Sequence, residues 1–69
     1  MAALDLEVLR KNRHEDTFQA EGEPADPAWL RRQLRGWLAG HKWQESRWGE
    51  FELIARPAGR GKQLAKVRA

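Results

Sequence analysis

Sixty-nine residues, 8.0 kDa and a net charge of +3 leave room for one domain, 1–69, with a thin core. The absence of cysteine excludes disulfides, thiolate metal sites and thiol nucleophiles. The longest apolar runs are three or four residues, such as Met1 to Leu4, so no membrane span is expected. Asp5 and Glu7 stand where a signal peptide would need an apolar stretch, so the expected location is cytoplasmic.

The first element expected is a strand at Leu4 to Val8, whose strict alternation puts Leu4, Leu6 and Val8 on one face. Lys11 to Asp16 reads as a turn. Thr17 to Glu21 reads as a returning strand with Phe18 and Ala20 inward, which makes 1–21 a hairpin. Asp26 and Pro27 then mark a helix start, the first as a side-chain cap and the second at the position where a missing N–H is harmless.

The helix is expected over 27–40. Leu30, Leu34, Trp37, Leu38 and His41 share one face, and Arg31, Arg32 and Arg35 lie opposite, with Lys42 in line if the last turn persists. Gly36 weakens this helix, and Gly40 is the expected terminator. After a loop holding Trp43 and Trp48, Glu50 to Arg56 alternates as a strand with Phe51, Leu53 and Ala55 inward. Pro57 to Gly61 is a turn by composition, and Lys62 to Arg68 is expected to complete a hairpin over 50–68, or else to stay a partly disordered basic tail.

The fold class is therefore α+β in the order β-β-α-β-β, with one helix packed on one face of an antiparallel sheet. The expected core is Leu4, Leu6, Val8, Phe18, Leu30, Leu34, Trp37, Leu38, Phe51, Leu53 and Val67. Ile54 points to the other sheet face, where an apolar residue gives mild support for a covering partner or a homodimer.

Charge is unevenly placed. Residues 1–26 hold seven acids against three bases, net −4, and residues 27–69 hold ten bases against three acids, net +7. The helix arginines and Lys42 meet no acid between residues 27 and 44, whereas helix surfaces usually mix signs four residues apart. Asp5 and Glu7 should point from the sheet face away from the helix, which leaves the stripe without internal counter-ions. Arg56, Arg60, Lys62, Lys66 and Arg68 extend the basic surface. Such a field steers polyanions.

Little is available for catalysis. The chain has one serine, Ser46, one threonine, Thr17, and two histidines, His14 and His41, in separate elements. This is too little for a nucleophile, base and orienting group together, so no enzyme activity, metal or cofactor is expected. The run Gly59-Arg60-Gly61-Lys62 lacks the upstream glycine and following hydroxyl of a phosphate loop, because Arg56 and Gln63 occupy those places. No segment matches a known nucleic-acid motif.

Four tryptophans and no tyrosine point to binding without choosing a partner. Trp37 belongs to the core and Trp29 to its boundary. Trp43 and Trp48 either cap a thin core or offer flat faces for base stacking or a protein interface. Two functions stay open: a DNA- or other nucleic-acid-binding module using Arg31, Arg32, Arg35, Lys42, Arg60, Lys62, Lys66 and Arg68, and a protein-interaction module (adaptor, subunit or phage-type inhibitor) using exposed tryptophans. Nine arginines against four lysines fit the codon usage of a GC-rich bacterial or phage genome.

Overall fold

The computed structural model describes residues 2–59 and 61–69. β1 (Ala2–Arg10) and β2 (Arg13–Gly22) form a hairpin, and α1 (Pro27–Gly40) follows. A 3₁₀ turn spans Glu45–Glu50, and β3 (Phe51–Pro57) and β4 (Ala65–Arg68) complete the chain. All neighbouring strands are antiparallel, in the order β2-β1-β3-β4, with α1 on one face. The expected α+β class and element order are the ones the chain adopts. No helix among the described residues is long and apolar enough to cross a membrane.

The first hairpin is longer and tighter than its sequence suggests. Only Lys11 and Asn12 form the turn, both with positive φ (51° and 66°), a geometry that matches the twist of the flanking strands. β2 then starts at Arg13 rather than Thr17. Val8 pairs with Asp16 whereas Leu9 pairs with His14, so Glu15 is a bulged extra residue. Plain alternation would put residues 14 and 16 on one face; the bulge divides them. Asp16 comes to the helix side, where its Oδ2 accepts the Trp37 indole N–H at 2.8 Å, and His14 goes to the open side. The bulge and the inward carboxylate also blunt β2 as a sheet edge, and β4, the other edge, is four residues long and carries Lys66 and Arg68.

α1 forms where expected. Asp26 Oδ1 accepts from the backbone N–H groups of Ala28 and Trp29 at 3.0 and 3.2 Å, and Leu30, Leu34 and Leu38 are buried. The helix end differs from expectation. Gly40 stays helical, and Lys42 takes the left-handed conformation (φ 62°). Lys42 N donates to Ala39 O at 3.1 Å and Trp43 N to Leu38 O at 3.0 Å, the paired bonds of a Schellman closure.

The second hairpin is shorter than 62–68 and its connection longer than 57–61. Leu64 N donates to Ala55 O at 2.8 Å just before β4 begins, and Gly59 supplies a positive φ of 73° in the loop. Arg60 lies outside the described residues.

The core joins Leu4, Leu6 and Val8 of β1, the three helix leucines, Phe51, Leu53 and Ala55 of β3, and Val67 of β4. Phe18 and all four tryptophans are half-buried against it. Ile54 lies on the open face, as its place in the alternation implies, yet it is only 6% exposed. Its row neighbours across the sheet are Glu7 and Lys66, and Glu52 and Arg56 flank it along β3. Glu7 pairs with Arg56 and Glu52 with Lys66, so the aliphatic stems of these tethered side chains shield it. Among the described residues, Leu64 is the one large hydrophobic side chain that is exposed.

The backbone of α1 runs closest to β3 and β4, and the indoles of Trp29 and Trp37 reach back to β2. Trp29 sits so close over Gly22 that a Cβ there would lie 2.1 Å from its ring. Gly22→Ala is therefore expected to cost about 2 kcal/mol by displacing the indole, with most of that cost absent in a Trp29→Ala background. Denaturant titration of the four-member cycle checks this. Gly36 is the opposite case, since a Cβ added to it meets nothing within 4 Å. Gly36→Ala is expected to stabilise the fold by about 1 kcal/mol, read as a raised thermal midpoint.

Candidate nucleic-acid interface

Three leucines set the rotation of α1, and that rotation decides where the arginines point. At 100° per residue, Arg31 and Arg35 fall on the flank opposite Trp37 and Gln33, while Arg32 falls on the crest directly away from the core. All three are exposed. Lys42 is exposed beyond the helix end, displaced from the stripe by its left-handed backbone. The helical continuation that would have aligned it with Arg35 does not occur.

None of these four cations lies within 4.0 Å of a carboxylate among the described residues. Several acids of the sheet lie on the other face, away from α1. On the open face of the sheet, Glu7 binds Arg56 at 2.6 Å and His14 at 2.7 Å, and Glu52 meets Lys66 at 3.5 Å and Arg68 at 3.4 Å. Asp5 accepts from Gln19 and from the Gly59 backbone. Asp5 and Glu7 face away from the helix, as the alternation of β1 implies.

At the hairpin-turn end, Glu50 gathers Arg10 (2.9 Å), Arg47 (2.7 Å) and Lys11 (3.9 Å). Arg10 also lies over the Trp43 ring, 4.8 Å from its centroid. Arg47 and then Arg10 hold the Glu50 carboxyl at about 2, well below its ordinary 4.5. The Arg56 bond, followed by the His14 bond, lowers Glu7, and the Trp37 indole N–H lowers Asp16. His41 stacks on Trp37 with ring centroids 4.1 Å apart, and its Nδ1 lies 2.9 Å from Trp37 O at the helix end.

The basic residues singled out in the sequence thus divide. Arg31, Arg32, Arg35 and Lys42 stand along and just beyond one helix face. Lys62 is exposed and has no carboxylate partner among the described residues, in the loop before β4. Lys66 and Arg68 share Glu52 on the opposite sheet face and are partly neutralised there. Arg60 lies outside the described residues.

Trp43 and Trp48 do not stand out as free flat surfaces. Trp43 packs edge-on against Phe51, with centroids 4.9 Å apart, and Trp48 donates its indole N–H to Trp43 O at 3.0 Å. Both close the end of the core. Sequence reasoning missed Arg13, which is exposed beside Lys11 in a shallow hollow lined also by Arg10 and Glu15. Its only signal was its place after Lys-Asn, a pair able to make a two-residue turn.

Ser46 is exposed in the 3₁₀ turn, and no three His, Asp or Glu side chains among the described residues converge as a metal would require. Comparison of the chain with protein-family models, curated proteins and solved structures finds no match.

The lowered carboxyls give the fold a defined acid sensitivity. A carboxyl whose folded pKa is depressed contributes stability above its unfolded value and loses it as pH falls toward the folded one. Thermal midpoints are therefore expected to fall as pH drops from about 4.5 towards about 2, the window set by Glu50. Glu50→Gln should flatten that part of the profile, as read by circular dichroism melts at half-unit pH steps.

Proposed function

We propose that this chain is a small, non-enzymatic, cytoplasmic module that binds nucleic acid through the outward face of α1. One observation carries the reading: Arg31, Arg32 and Arg35 share an exposed, acid-free helix surface with no carboxylate partner among the described residues. Like charges so close repel one another, and a phosphate backbone relieves that repulsion while releasing condensed counterions. Lys42 and Lys62 add charge around the face; Lys66 and Arg68 contribute less because Glu52 holds them. The competing reading, a protein-interaction module built on exposed tryptophans, draws little support from four half-buried indoles packed against the core.

Phosphate contacts make affinity fall steeply with salt. With four contacts, binding is expected to weaken about 150-fold between 50 and 200 mM salt. Arg31→Glu with Arg35→Glu should lower affinity at every salt concentration and flatten the slope by about two contacts, with an unchanged circular dichroism spectrum. Fluorescence anisotropy with labelled oligonucleotides, double- and single-stranded, measures both effects. Salt-independent binding, or binding that survives the double reversal, would refute the reading.

A further inference from the structure

We propose that the nucleic acid taken by this face is duplex DNA, with α1 lying in the major groove and Arg32 turned towards the base edges. The inference rests on the nucleic-acid reading above and adds the ligand's form and the docking geometry. Its basis is the distribution of cations around the helix. Arg32 occupies the crest, opposite the buried leucines, and Arg31 and Arg35 line one flank at a spacing of four residues. A helix so armed can set its flank on the phosphates of one groove wall while its crest faces the floor.

Three further features narrow the form of the ligand. Single-strand binders hold successive bases on exposed aromatic faces. Here the only exposed large hydrophobic side chain among the described residues is Leu64, at 46%, and every indole is tucked against the core. The major groove of B-form DNA, roughly 12 Å wide, admits a helix, whereas the deep, narrow major groove of A-form RNA does not. Around Arg32, Ala28, Gly36 and Ala39 keep part of the crest low, with Arg35 and the half-buried Trp29 beside them. Gly36 has no internal reason to lack a side chain: its φ is not positive and a Cβ there would meet nothing within 4 Å. The helix backbone at Gly36 is therefore open to close approach from outside.

The test is anisotropy at fixed low salt with a labelled 20-base-pair G·C-containing duplex, its isolated strand, the same duplex as RNA, and the DNA duplex methylated at guanine N7, on the major-groove floor. The intact protein is compared with Gly36→Leu and Arg32→Ala. The expected result is duplex DNA bound at least tenfold more tightly than single strand or RNA duplex, with N7 methylation and each substitution weakening it at least tenfold. Circular dichroism melts confirm that both variants stay folded. Equal or tighter binding to the single strand or the RNA duplex overturns the inference, as does indifference to N7 methylation or a Gly36→Leu protein that binds like the parent. In each of those cases salt-sensitive binding would persist and the broader proposal would stand. If no oligonucleotide binds in a salt-dependent way, both fail together.

Discussion

The seam between Leu30, Leu34 and Leu38 and the apolar face of the sheet governs the rest of the molecule. It fixes the helix about its own axis, because all three leucines are buried. A turn of one residue about that axis would carry Arg31 into the core, where an unpaired guanidinium is far too costly to bury. The hydrophobic seam and the outward arginines are thus one constraint seen from two sides. Because the seam lies over β3 and β4, the space above β2 is left for large side chains, and Trp29 and Trp37 fill it.

The sheet contributes a second kind of order. On its open face Glu7 holds Arg56 and the His14 ring while Glu52 holds Lys66 and Arg68, and this lattice shelters Ile54 without a core of its own. The acids of that lattice lie across the sheet from the helix. The molecule is consequently two-faced, with near-balanced charge on the sheet and unbalanced positive charge on α1. Surface pairs of this kind contribute little individually, of the order of 0–1 kcal/mol. Their effect here lies in where they leave the remaining charge.

Much of this was legible in the sequence, for reasons that differ element by element. The helix could be read to the residue because Asp26-Pro27 and the leucine spacing are local signals. The inward residues of three strands followed from alternation alone. What stayed hidden depends on residues far apart in the chain. The bulge at Glu15 is defined only by the register against β1, and the shielding of Ile54 only by side chains from neighbouring strands. The pairing of Lys66 and Arg68 with Glu52 needs the β3–β4 register, so these bases looked freer in the sequence than they are. The left-handed Lys42 was hidden for another reason: Gly40, two residues earlier, offered a cheaper and misleading stop. The exposure of Arg31, Arg32 and Arg35 was legible because the leucine spacing of one helix decides it.

The close seat of Trp29 on Gly22 also bears on how this sequence can drift. The glycine is a dependent of the indole: while the tryptophan stays, any side chain at position 22 must evict it. Either order of substitution therefore carries a cost: enlarging residue 22 first displaces the indole, and shrinking residue 29 first leaves an unfilled hollow above β2.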